Sequence, residues 1–174
     1  AFGYLHTQAL AEYKALRKAE TEGRKASGLS TTALKYLYLI AISNEKVPES
    51  NEAAHRYFLT QLPSMITTMS MSDKARTAIV LKKAGQAQKA DAFMASLKEH
   101  LVVMPEQGVS FAASSVRNRW SELRIPAHVA VMEAFEQVSN DSVVVEEMKI
   151  WLLRQKQTQQ WDSPVATVDA VYGL

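Results

Sequence analysis

The stretch SDKARTAIVLKKAGQAQKADAFMASLKEHL, from Ser72 to Leu101, decides how this chain is read. Ser72-Asp73 opens a short helix that runs through Ala75, Ala78 and Ile79. Lys82 and Lys83 fall in its last turn, where cations complement the carbonyl end of the helix dipole. Gly85 is a natural stop, because glycine takes the left-handed conformation without a Cβ penalty. A second helix starts at once, with Ala90, Phe93, Met94, Leu97 and Leu101 on one face and Lys89, Lys98 and Glu99 off it. Two helices joined by so short a turn make a tight hairpin, and small residues let such pairs stack closely.

The same helical period extends both ways. Phe2, Leu5, Ala9, Tyr13 and Leu16 step along one face of a first helix that fades near Gly23. Ser30 or Thr31 caps a second helix through Leu34, Leu37, Tyr38 and Ala41. Its run from Tyr36 to Ile42 is apolar all round, which predicts an inner helix. A third helix runs from about Asn51 to near Pro63. Beyond Leu101 the period changes: Leu101–Met104 and Val109–Phe111 read as two extended pieces around a turn at Pro105–Gly108. Pro126 suits the first turn of a sixth helix, Asp141 or Ser142 caps a seventh, and Ser163-Pro164 starts an eighth. The expectation is therefore a single all-α unit over residues 1–174: an array of helical hairpins with a short extended hairpin near 101–111.

Composition narrows the function classes. A chain of 174 residues buries roughly 70% of its unfolded surface and needs no disulfide or metal staple. Its 47% apolar and 22% charged residues suit a globular domain rather than a disordered tail. The net charge is only +2, and the basic residues are interspersed with acids, as in Glu12, Lys14, Arg17, Lys18, Glu20 and Glu22. That reads as a solvated helix face, without the one-sided basic patch and stacking aromatics that nucleic acid requires. No cysteine is present, so thiolate chemistry, disulfides and cysteine metal sites are absent together. The apolar run at 36–42 falls far short of the ~20 residues that span a bilayer. Ala1-Phe2-Gly3-Tyr4-Leu5 has neither an initiator methionine nor a basic leader, and the last helix stops abruptly at Leu174, so both ends read as cuts in a longer chain.

Residue types that carry chemistry are few. Glu52 and His55 have the Glu-x-x-His spacing of di-iron carboxylate bundles, but that chemistry needs a second copy and the sequence has none. His128 shares a helical face with Val131, Met132 and Phe135, which predicts a hydrogen-bonded core histidine, and His6 and His100 have no sequence-near partners. Glycoside hydrolysis would need two carboxylates facing each other about 5 to 10 Å apart. The loop acids Glu106, Glu122 and Asp162 are its candidates, although acids on loops are usually just solvated. These patterns imply no catalytic residue, no cofactor and no metal.

A second stretch, WLLRQKQTQQWDSPVATVDAVYGL from Trp151 to Leu174, carries a structural signature instead. Gln155, Gln157, Gln159 and Gln160 lie between Trp151 and Trp161. Amide side chains can satisfy carbonyls left open at a helix end while indoles cover the turn, which predicts a structured corner between two helices. This segment, with Trp151, Gln155, Gln157, Trp161 and Tyr172, resembles the thioester-domain region of bacterial alpha-2-macroglobulin family proteins. There a helix ending Trp-Leu-Leu-x-Gln-Lys-Gln is followed by Thr-Gln-x-Trp and a helix containing Ala-Val-Tyr-x-Leu. The hairpin of residues 74–100 and SELRIPAHVAVMEAFEQV, from Ser121 to Val138, resemble further parts of the same region, so the likeness covers about residues 72–174 in the family's order.

The resemblance implies an α/α toroid of helical hairpins, inner helices lining the core and outer ones packed around them. It also implies a long parent chain with neighbouring macroglobulin-like domains. The parent would be an envelope protease trap, periplasmic and joined to the membrane only through an anchor outside this segment. Its partners would be proteases. The family's thioester needs Cys-x-Glu-Gln, and here Met104-Pro105-Glu106-Gln107 puts a thioether where the thiol belongs, so no acyl bond can form at Met104. A tetratricopeptide-like interaction module is the alternative, but no second copy of the 72–101 hairpin occurs at that family's 34-residue period. A helical-barrel glycosidase or terpenoid cyclase shares the architecture, and architecture alone does not carry function.

Overall fold

The computed structural model describes residues 2–24, 28–43, 45–104, 108–111, 120–158 and 164–174. Among these the fold is all-α with one short strand pair. The helices are α1 (Phe2–Thr21), α2 (Thr31–Ser43), α3 (Glu52–Gln61), α4 (Met71–Lys83), α5 (Ala87–Lys98), α6 (Trp120–Ala134), α7 (Ser142–Thr158) and α8 (Pro164–Gly173). Strands β1 (Leu101–Met104) and β2 (Gly108–Phe111) pair antiparallel, Leu101 opposite Phe111 and Met104 opposite Gly108. None of the described helices is long and apolar enough to cross a membrane.

Local chemistry sets the helix ends. α1 closes with Gly23 at φ +69°, the Gly23 amide donating to the Glu20 carbonyl and the Arg24 amide to that of Ala19. α4 closes in the same way through Gly85 at φ +75°, with Gly85 bonded to Lys82 and Gln86 to Leu81. Both are Schellman motifs, in which a left-handed glycine turns amides back onto orphan carbonyls. Ser30 caps α2, its Oγ accepting from the Ala33 amide at 3.1 Å, and Asp141 caps α7 through the Val144 amide at 3.3 Å.

Two expected boundaries are corrected. α4 begins at Met71 and not at Ser72-Asp73, because Ser70 is the cap. Its Oγ accepts from the Asp73 amide at 3.2 Å and donates to the Asp73 carboxylate at 2.7 Å, so the third helical residue holds the capping hydroxyl in place. Pro126 is not in the first turn of α6, since that helix starts at Trp120 and carries Pro126 inside it. A proline there removes a single amide-to-carbonyl bond, the one back to residue 122, and the helix continues on both sides.

The even-numbered helices form a wall. α2 packs on α4, α4 on α6, and α6 on α8, while α1 and α3 pack against α2, α5 against α4, and α7 against α6. α4 is flanked on several sides, which buries Lys74, Ala75, Thr77, Ala78, Ile79, Val80 and Leu81. Its small alanines let neighbours approach, so a helix of modest hydropathy lies at the centre. α2 buries Ala33, Tyr36, Leu37 and Ile40 in the same main core, but its apolar run is not covered all round: Leu39 and Ala41 are half-buried and Ile42 is exposed.

A second, smaller core of Ile125, Val129, Trp151, Leu152 and Ala170 joins α6, α7 and α8. The strand pair rests on α7 through Gly108, where an added Cβ would lie 2.3 Å from the Glu147 carbonyl oxygen and 3.0 Å from the Trp151 amide nitrogen.

Candidate functional site

Side chains from α2, α4 and α6 meet at one place, and α8 borders it. Tyr38 of α2 lies across α4, its ring 5.7 Å from the Arg76 guanidinium, and donates its hydroxyl to Glu133 Oε2 on α6 at 2.6 Å. Gln137 donates to the other oxygen, Oε1, at 2.8 Å. Tyr172 of α8 completes the group: the Glu133 carboxylate holds its hydroxyl above the usual tyrosine range, helped by burial and by Glu136. Tyr38 is pushed far above its ordinary value by burial first, then by donating to Glu133. Tyr38 is the phenol that donates to the carboxylate, while Tyr172 feels its charge without a hydrogen bond to it.

Beside this hub lies a cleft of about 310 Å³ between the end of α6, α7 and the end of α8. Val129, Met132 and Val145 give it apolar walls, and Glu133, Glu136 and Tyr172 give it a polar rim. Its shape depends on the turn that ends α6. Residues Phe135–Ser139 are π-helical, which buries Phe135 and Val138 while Glu136 and Gln137 stay exposed. Asn140 closes the turn at φ +50°, its amide donating to the Phe135 carbonyl. Such single π turns often occur where a helix serves a site. Gly173 brings α8 close, since a Cβ there would meet Met132 Cε at 2.7 Å.

Of the signature residues, Trp151 is 1% exposed and anchors the smaller core, whereas Tyr172 is 71% exposed and reaches the hub. Gln155 is half-buried on α7. Trp161 and the side chain of Gln157 lie outside the described residues, as does the rest of the corner at 159–163. The loop acids Glu106 and Asp162, the side chain of Glu122, and the Pro105–Gln107 part of the decoy motif lie outside them too.

The histidines separate into distinct environments. His128 is fully buried, donates from Nε2 to the Met148 carbonyl at 2.9 Å, and lies under Trp151 with ring centroids 4.3 Å apart. That is the core histidine its helical face predicts. His6 meets the Tyr36 hydroxyl through Nδ1 at 3.2 Å, and Asn51 donates to the His6 carbonyl at 2.7 Å, which ties α1 to α2 and to the turn before α3. His100 donates back to the Ser96 carbonyl at 2.8 Å. His55 is half-buried and its pKa is lowered by burial, while Glu52 is exposed. No group of three or more metal-ligating side chains comes together among the described residues.

Periodicity misses the hub, because its members are far apart in sequence. A signal exists: Glu133 is an isolated charge in the apolar run VAVMEAF, from Val129 to Phe135, and Tyr38 is the hydroxyl in an otherwise apolar helix face. Comparison with protein-family models, curated proteins and solved structures gives no match.

Proposed function

We propose that this chain is a non-catalytic scaffold segment of an alpha-2-macroglobulin-like protease trap of the bacterial cell envelope, acting on proteases through its full-length parent. One observation carries the reading: Tyr38 on α2 passes beside Arg76 on α4 to bond Glu133 on α6, whose field reaches Tyr172 on α8. In an open superhelix the inner helices line an extended groove, each contacting its neighbours in the row. In a toroid they curve toward a common centre, and the Tyr38–Glu133 bond, which joins α2 to α6 past the intervening α4, supports that reading. The motifs quoted between residues 72 and 174 support the same reading, and the missing cysteine means that this segment supplies no thiol for a thioester.

The natural full-length protein tests it. After challenge with trypsin or elastase, size-exclusion chromatography should show the protease co-eluting with its captor. Methylamine labelling tells a covalent trap from a steric one. Free protease after challenge, with no methylamine incorporated, overturns the trap. The alternative of a helical interaction module is favoured by the exposed row Val165, Val168 and Val171 on α8, and it predicts a binding partner without protease retention.

A further inference from the structure

We propose that the cleft between the ends of α6 and α8 binds an alkylammonium group, its aliphatic stem on Val129, Met132 and Val145 and its cation between Glu136 and the ring of Tyr172. The lining alone selects this ligand, whatever the parent protein does. At about 310 Å³ the cleft is at the small end of ligand pockets, which begin near 300 Å³, so it suits a short stem rather than a bulky ring system.

The charges select the sign of the ligand. Both oxygens of Glu133 already accept hydrogen bonds from Tyr38 and Gln137, so Glu133 supplies negative field rather than a vacant contact. Glu136 makes no hydrogen bond or ion pair among the described residues and borders the same cleft. The cation in the lining, Lys149, points its ammonium to Glu146 one turn away at 3.4 Å. An anionic ligand would meet two carboxylates, and a neutral apolar one would draw water from Glu136 without replacing it. A cation with an apolar stem satisfies both walls. Tyr172, 71% exposed, offers a ring face on which such a cation gains further attraction.

The test is an amide chemical-shift titration of the 174-residue chain with n-hexylamine at pH 7, with hexanoate and n-hexanol as controls for charge and stem. Saturable shifts confined to the ends of α6 and α8 and to the facing turns of α7, with hexylamine alone, are expected. Glu136→Gln should weaken binding roughly fivefold, the effect of losing one partly exposed charge partner. Equal response to hexanoate, shifts spread over distant acids such as Glu45 and Glu52, or Glu136→Gln binding like the wild type would overturn the proposal. Nα-acetyl-lysine methylamide separates the two sources of the group. Affinity at least equal to that of hexylamine assigns the cleft to lysine side chains of a polypeptide, and clearly weaker binding assigns it to free amines.

Discussion

Replacing Gly108 by alanine tests how the strand pair is seated. The residue has φ +84°, and a Cβ added there would meet the Glu147 carbonyl oxygen at 2.3 Å and the Trp151 amide nitrogen at 3.0 Å. Placing an L-residue in the left-handed region costs roughly 1–2 kcal/mol. Relieving the contact means shifting backbone, since both atoms belong to the main chain of α7, and overpacking of this kind costs about 1–3 kcal/mol more. Together these come to roughly 2–5 kcal/mol. At about 2–4 °C per kcal/mol for a chain of this length, Tm should fall by something near ~10 °C. Gly85→Ala is the control, because Gly85 has a similar φ of +75° and nothing within 4 Å of its Cβ. It should lose only the conformational part, about 1–2 kcal/mol. Urea unfolding of the two variants side by side isolates the close approach. Equal losses, within about 0.5 kcal/mol, would refute the seating of β2 on α7.

Trp151→Ala should destabilise by roughly 3–5 kcal/mol, since the indole is fully buried between α6, α7 and α8, and chemical denaturation measures it. Ser70→Ala removes the α4 cap and should cost about 1 kcal/mol, whereas Ser72→Ala should leave the unfolding midpoint unchanged. Tyr57 donates to Glu20, and burial together with that bond pushes its pKa up to about 12 from 10.0. Because the folded value lies above the unfolded one, this contribution is complete below about pH 10 and is lost as the pH rises to about 12. Urea midpoints of Tyr57→Phe should therefore fall less steeply than wild type across that window, and parallel profiles would count against the pairing. His55 has the opposite sense: burial lowers its pKa below 6.5, so stability declines as the pH falls through that value, and His55→Gln should flatten the acid limb.

The sequence is most legible where the forces are local. The 72–101 hairpin, its glycine stop, the extended pair beyond it and the core position of His128 all follow from periodicity and turn chemistry within a few residues. The start of α4 is harder to read because two serines and an aspartate compete for one cap, and only the geometry shows Ser70 bonding to Asp73. Pro126 misleads for a similar reason: proline is favoured in a first turn, yet a helix tolerates one lost bond when its flanks are packed, here by Ile125 and Val129. The hub is hidden for a different reason. Its residues come from α2, α4, α6 and α8, and no local window contains two of them. The π turn that shapes the cleft is equally silent, since its pattern Phe135, Val138 is also what an ordinary helix would show.

The convergence on Glu133 also bears on the order in which the chain folds. Tyr38 and Glu133 are 95 residues apart, whereas α4 and α5 close over a turn of three residues, Ala84 to Gln86. Contacts near in sequence form with little loss of chain entropy, and those bridging a long loop form late. Refolding should start at the α4–α5 hairpin and end with the joining of α2 to α6. Kinetic measurements can read this directly: Ser70→Ala should slow folding, whereas Tyr38→Phe should chiefly speed unfolding. A bond formed after the transition state acts only on the unfolding rate, so losing its roughly 1 kcal/mol should make the wall come apart about fivefold faster while the core still sets the overall barrier.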